Sequence, residues 1–306
     1  MELNDSSVMS NRSAVRIDAL TGLREEAEFV GEGDERLFAL RYTPPGALTA
    51  GVVVCEPLLA QFIAHYRTGT VLARLLARHG LAVQRFHYRG TGNSDGSVDS
   101  LDLDSMTEDA IAAAERLKEA TGVERVAYLG IKIGGYPAAA ASQDGGELIL
   151  DSPPLTGRIY IRNAFRSHAV VMMQSGVPTA STAELQQALQ ETDDVNLLGC
   201  RLSKHLHDSL ESRTLTDQLG DTPRRTLLIA SERAGELKPE AKELQALLEE
   251  RGFDVSITVR AKEDPLWYVE HSAPEDRPET HQVANAIAGW MNLESNREAE
   301  RSSTHA

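Results

Sequence analysis

A chain of 306 residues with 41% apolar and 25% charged side chains has ordinary globular proportions, which excludes disordered, collagenous and fibrous classes. Lys and Arg number 31 against 46 Asp and Glu, and a net charge of −15 argues against nucleic-acid binding. Two cysteines, Cys55 and Cys200, cannot staple a chain this long, so a reducing, cytoplasmic setting is expected.

The first 25 residues read as a flexible N-terminus, and Met1 to Ser13 lacks the apolar run of a signal peptide. Ala27–Val30 and Leu37–Thr43 alternate around Gly31-Glu-Gly-Asp34 as an antiparallel hairpin would, and Pro44-Pro-Gly46 breaks the run. Gly51–Cys55 is a continuous β-branched strand of the kind covered on both faces. A helix over Thr70–His79 stops at Gly80, and Leu81–His87 is a second strand. The loop Tyr88–Gly96 leads to a helix over Met106–Thr121, with Thr107 as the expected N-cap and Gly122 as its stop. Strand Arg125–Leu129 then runs through Gly130-Ile-Lys-Ile-Gly134 into an alanine-rich helix, Tyr136–Ala141, and Glu147–Asp151 is the next strand.

Pro153–Pro154 ends this alternation, and 156–222 shows helical periodicity, as over Ala183–Glu191 and Leu197–Leu210. Strand Thr226–Ala230, helix Pro239–Arg251, strand Asp254–Arg260 and helix Glu279–Met291 resume the alternation before a polar tail, 293–306. The order predicts an α/β fold with a mostly parallel central sheet flanked by helices. Its core comprises 26–155 and 223–292, with the helical segment 156–222 inserted between strands. No stretch has the apolar length of a membrane span.

Ligands of such sheets bind beyond the carboxyl ends of the strands. The most informative strand end is Gly130-Ile-Lys-Ile-Gly134, which has the frame of a G-x-S-x-G nucleophile elbow with lysine at its centre. An ammonium group cannot replace an activated serine hydroxyl, so serine chemistry fails at this residue.

These residues resemble the α/β-hydrolase fold, with 156–222 as its helical cap. More narrowly, the chain is similar to the exosortase A system-associated hydrolases, which are serine aminopeptidase-like. The likeness rests on Pro57 and Arg67 around the first crossover, on Gly90-Thr-Gly-Asn-Ser-Asp-Gly96, and on the Lys132 turn. Pro153–Arg158 and Leu266–Pro274 match weaker patterns. Ala60–Gln61, Asn93 and Glu56 depart from the family, which has an acidic pair, an aspartate and, commonly, a histidine there.

Lys132 is either an amine able to act as base or Schiff-base former, or one half of an ion pair. Glu56, at a neighbouring strand end, is its expected partner. His271 lies after the last strand, where a triad histidine belongs; a triad acid would be Glu232 or Glu236. Backbone N–H groups at Ile133 and Leu58 occupy oxyanion-hole positions, and Arg67 and Arg89 are the candidate substrate-binding arginines. Cys55, Ser94 and Ser152 also lie at strand ends, but read as a buried thiol and two turn residues. Asp99, Asp102 and Asp104 lack calcium-loop spacing, and Gly90-x-Gly92 lacks the third glycine of a dinucleotide fingerprint, so neither metal nor cofactor is expected.

The function expected is therefore a non-classical enzyme or binder of a small carbonyl or carboxylate compound. The alternatives are a non-catalytic pseudohydrolase that binds a partner protein or a second copy, and a hydrolase or acyltransferase with a displaced nucleophile.

Overall fold

The computed structural model describes residues 13–233, 236–260 and 277–303. Three antiparallel strands, β1 (Ala14–Ile17), β2 (Arg24–Val30) and β3 (Leu37–Thr43), lead into the alternating part. That part runs β4 (Ala50–Cys55), α1 (Leu59–Arg78), β5 (Leu81–Phe86), α2 (Leu103–Thr121), β6 (Val126–Ile131), α3 (Gly135–Ala141) and β7 (Glu147–Asp151). The following segment holds α4 (Gly157–Gln174), α5 (Thr182–Thr192), β8 (Asp194–Leu197), β9 (Cys200–Ser203), α6 (Lys204–Glu211) and α7 (Leu215–Leu219). Then come β10 (Arg225–Arg233), β11 (Glu236–Leu237), α8 (Pro239–Glu250), β12 (Asp254–Arg260) and α9 (Pro278–Ser303).

The main sheet has the order β1-β2-β3-β5-β4-β6-β7-β10, with β12 on the far side of β10. The pairings β5–β4, β4–β6, β6–β7, β7–β10 and β10–β12 are parallel, and the short β11 pairs antiparallel with the end of β10. Continuous apolar strands belong here because helices cover both faces. Alternation along β4 sends Val53 and Cys55 into one core and Val52 and Val54 into the other. The first core takes in Met106 and Ala110 of α2, Ala138 of α3, and Tyr160, Phe165, Leu202 and Leu206 from the segment after β7. The second takes Leu72 and Leu76 of α1 with Val283, Ile287 and Met291 of α9. The segment after β7 thus shares its packing with the α2 and α3 side of the sheet.

Four local expectations change. Helix α1 begins at Leu59 rather than Thr70, because its first half is only partly covered and carries no clear apolar stripe; Ile63 there is 62% exposed. The N-cap of α2 is Asp102 rather than Thr107: its Oδ1 accepts the Ser105 N–H at 2.8 Å, and Ser105 Oγ accepts the Asp102 N–H at 3.0 Å. Residues 194–203 form the β8–β9 hairpin instead of helix, turning at Leu198 and Gly199 with φ of 55° and 85°. Both turn residues sit at positive φ, as tight hairpins require, but leucine gives no turn signal at such a position. Finally, β1 pairs with β2 inside the expected loose terminus, and α9 continues past Asn292.

The cap assignment is open to a direct check. Replacing Asp102 by Ala should cost about 1 kcal/mol in urea unfolding. Thr107→Ala should stay within about 0.5 kcal/mol, because the Thr107 hydroxyl only bonds back to the Leu103 carbonyl within α2.

Candidate functional site

Five non-glycine residues among those described have positive φ, and three of them stand at the carboxyl ends of neighbouring strands. Leu59 (56°) follows β4, Lys132 (53°) follows β6 and Ser152 (49°) follows β7. Each such residue costs on the order of 1–3 kcal/mol, which the surrounding contacts must offset. The glycines around Lys132 show how tight the turn is. A Cβ on Gly130 would lie 2.7 Å from the Gly134 carbonyl oxygen. One on Gly134 would overlap the Cys55 carbonyl and stand 2.7 Å from that of Glu56. Only glycine fits either place.

Lys132 is half-buried and lines a cavity of about 300 Å³ over the ends of β6, β7 and β10. Gln61 from α1, Tyr160 and Asn163 from α4, and Lys238 and Glu240 from the start of α8 close its sides. Ser152 and Ser231 are hydroxyls on the walls. Ser231 is 6% exposed and has no side-chain hydrogen bond among the described residues. Sequence reasoning missed Gln61, Asn163, Ser231 and Lys238. Only Ser231, directly after the β10 run Thr226–Ala230, carried a signal that could have found it.

Glu56 is placed elsewhere than expected. Its carboxylate does not pair with Lys132: one oxygen accepts Arg85 Nε at 2.7 Å and the other faces His65 Nδ1 at 3.0 Å. Arg85 in turn donates to Thr70 Oγ1 at 2.6 Å and to the Tyr66 carbonyl at 3.2 Å. Burial alone would raise the Glu56 carboxyl, but Arg85 and His65 outweigh it and hold it down to about 2. The physical reason is charge balance: Arg85 is 2% exposed on β5 and needs a counter-ion, which the adjacent strand end supplies.

The segment after β4 is fixed through its carbonyls. Tyr88 OH donates to the Glu56 carbonyl at 3.2 Å, and Tyr160 OH donates to that of Leu58 at 2.7 Å. Leu58 is buried at the start of α1, which has no side-chain cap and no acid in its first turn. Ile133 is fully buried directly after Lys132. Cys55 is fully buried as well, and burial together with the Glu56 charge pushes its thiol up, away from nucleophilic thiolate.

The remaining expected residues lie apart from the cavity or outside the described residues. Arg89 binds Asp109 through Nε at 2.6 Å and its own N–H at 2.8 Å, and its other nitrogens reach Glu108 and Glu35. Burial, outweighing these bonds, pushes the Asp109 carboxyl up to about 6. Arg89 therefore ties the β5–α2 loop to α2 and does not line the cavity. Arg67 is exposed on α1 and does not line it either. Glu236 pairs with Lys242 at 3.0 Å on the surface. Glu232 has its backbone in β10, but its side chain, like the whole of His271, is outside the described residues.

The loop Gly90–Gly96 is structural. It wraps His87, whose Nδ1 accepts the Asn93 N–H at 2.9 Å while Ser94 Oγ donates to the His87 carbonyl at 2.6 Å. Burial and the nearby Arg85 charge push the imidazole down to about 4, so it stays neutral. Among the described residues no group of three or more His, Cys, Asp or Glu is placed to hold a metal ion. Nor is any described helix long and apolar enough to cross a membrane.

Residues 58–219 match the sequence profile of a family described as serine aminopeptidase, S33. None of the curated proteins matches the sequence. Among solved structures, Est1E from Butyrivibrio proteoclasticus with bound ferulic acid is similar at 14% identity. That match covers 87% of this chain and 98% of that one, with a TM-score of 0.60. Proline iminopeptidase from Mycobacterium smegmatis is similar at 19% identity over 87% of this chain and 98% of its own, with a TM-score of 0.56. An α/β serine hydrolase without lid from Xanthomonas campestris matches at 16% identity over 92% and 97%, with a TM-score of 0.51. At such identities these likenesses establish the fold alone.

The Glu56–Arg85 pair has a pH signature. A carboxyl held at about 2 against an ordinary 4.5 contributes stability that is complete above about 4.5 and lost as pH falls towards 2. Asp109, raised to about 6, acts with opposite sign over its own window, from 3.8 upward. Glu56→Gln should cost about 3 kcal/mol in urea unfolding at pH 7, by leaving Arg85 buried without its counter-ion. The difference from the parent should shrink between pH 4.5 and 2, since Asp109 cancels between the two proteins.

Proposed function

The chain belongs to the serine aminopeptidase (S33) family of α/β-hydrolase-fold proteins, and from that premise we propose that it binds and acts on a small carbonyl or carboxylate compound through Lys132. The observation that carries this reading is the position of Lys132. A left-handed residue at a strand-to-helix turn between obligatory glycines, opening on a cavity, has the geometry of a nucleophile elbow. In this chain the elbow residue is an amine, so the family's serine step has no atom to start from at that position.

What an amine does well is bind. A lysine with a compact charge and three donors holds a carboxylate or polarises a carbonyl oxygen. Among the described residues, Lys132, Lys238 and the Glu240 carboxylate are the charged groups that line the cavity. Residues 156–222 act as the cap: Tyr160 and Asn163 reach the cavity from α4, and the Tyr160 hydroxyl fixes the strand end beside it. N–H groups at Leu58 and Ile133 serve as the oxyanion-hole donors, and His271 and Glu232 are kept as candidate acid–base groups. The Cys55 version of a displaced nucleophile is disfavoured by its burial.

A thermal-shift screen of small carboxylates, keto acids and esters, followed by calorimetry, tests the reading. Lys132→Met should weaken the best ligand roughly 10- to 100-fold, the worth of one charge-assisted hydrogen bond. Unchanged affinity in a folded variant would overturn it.

A further inference from the structure

We propose that the cavity takes a carbonyl or carboxylate compound bearing a phosphate at its far end, and that Arg162 and Arg166 of α4 hold this phosphate outside the mouth. The inference rests on the reading that the Lys132 cavity is the ligand site, and it adds the class of compound; it asks nothing of the protonation or partners of Lys132. Ile159, Arg162, Asn163 and Arg166 stand at the i, i+3, i+4 and i+7 positions of α4, which form one face of a helix. Ile159 and Asn163 line the cavity. Ile159 is half-buried, whereas Asn163, Arg162 and Arg166 are exposed. The face therefore starts on the cavity wall, passes the mouth at Asn163 and ends on the two arginines. At about 1.5 Å per residue it runs about 10 Å from Ile159 to Arg166.

The two arginines are uncommitted. Among the described residues neither Arg162 nor Arg166 makes a hydrogen bond or an ion pair, whereas Arg158, one turn earlier, faces Glu211 at 3.6 Å. Other partly exposed arginines of the chain are paired: Arg36 with Asp95, Arg74 with Glu25, Arg116 with Glu28, and Arg201 with Asp99 and Asp194. Helix α4 has no carboxylate, and its arginines repeat at i, i+4 and i+8 in a chain of net −15. Like charges at that spacing weaken a helix, and Arg158 stands in the first turn, at the positive end of the dipole. An arrangement that costs stability and satisfies nothing within the chain is explained by an anion from outside it.

Arginine suits phosphate in particular. Its planar fork donates two parallel N–H bonds to neighbouring phosphate oxygens. Side chains at i and i+4 have Cβ atoms about 5–6 Å apart, so one phosphate can accept from both. A phosphate near its dianion also balances two guanidinium charges, which a single carboxylate does not. The described lining of the cavity includes the apolar Pro154, Ile159, Leu228 and Leu244, which suit a hydrocarbon chain or ring between the two polar ends. The class of compound is thus amphipathic in the middle and anionic at the end that stays outside. Its recognition needs no covalent step.

Calorimetry of the full chain with octanoate, ω-phosphooctanoate and inorganic phosphate decides the matter. The parent should bind ω-phosphooctanoate roughly 10-fold more tightly than octanoate at low salt, with the advantage shrinking as salt is added. The double variant Arg162→Gln/Arg166→Gln should lose that advantage and keep its affinity for octanoate. Arg158→Gln, which removes the partner of Glu211, should retain both affinities. Both positions of the double variant are exposed, so its Tm should be no lower than the parent's. Equal affinity of the parent for the two carboxylates, or an advantage that survives in the double variant, overturns the proposal. So does inorganic phosphate bound as tightly as ω-phosphooctanoate, since the arginines would then form an anion site with no link to the cavity. If the phosphate advantage is absent but Lys132→Met still weakens octanoate, the earlier reading stands and this one alone falls. If Lys132→Met leaves octanoate binding unchanged, both fall.

Discussion

Gly134 lies directly against the carbonyls of Cys55 and Glu56, and the geometry of the site follows from that close approach. Because no side chain fits there, α3 can start against the end of β4, and the turn before it must be sharp. A sharp turn forces residue 132 into left-handed φ and lifts it from the sheet into the cavity. Gly130 meets the same turn from the other side, which leaves the peptide no room to relax. The chemistry of residue 132 does not enter into this. The scaffold would present any side chain in the same place, and a turn built to expose a serine can therefore present an amine.

The charged groups near the strand ends obey a second constraint, which is that buried charges are paired. Glu56 is only three positions from the start of α1, but Arg85 claims it from β5 and His65 from α1. Asp151 is likewise committed to Arg260 across the sheet. Each pair joins neighbouring or near-neighbouring strands at the end where ligands bind, so the floor of the site is rigid. It also means that these two strand-end carboxylates serve structural cations. Ser152 shares Arg260 with Asp151, so the residue that follows β7 is tied to the end of β12 as well.

The fold was legible because its signals are periodic. The run Gly51–Cys55 is apolar throughout, Glu147–Asp151 holds an apolar Leu-Ile-Leu between its two charged ends, and glycines punctuate the helices between them. The β8–β9 hairpin was not legible, since Leu198 at a positive-φ turn position is a tertiary compromise with no sequence mark. At the site, the Lys132 turn was legible from its two glycines. Pairings were not: choosing among Lys132, Arg85 and His65 as the partner of Glu56 depends on which strands are neighbours. Sheet order β5-β4-β6 puts Glu56 between Arg85 and Lys132, and burial decides for Arg85, the cation with less access to water. Arg89 was misread for a related reason, because a strand-end loop can fold back on α2 and meet a buried Asp109 instead of the cavity.

Charge gives the site its last distinguishing property. The chain carries a net −15, so its surface repels anions at long range. Among the described residues, Lys132, Lys238 and Glu240 are the charged groups that line the cavity. The anionic ligand proposed above would gain little from steering and would have to be held by short-range contacts inside the cavity. Screening by salt reaches only about 8–10 Å under ordinary conditions. Surface repulsion therefore fades with added salt, while contacts enclosed in the cavity are screened much less.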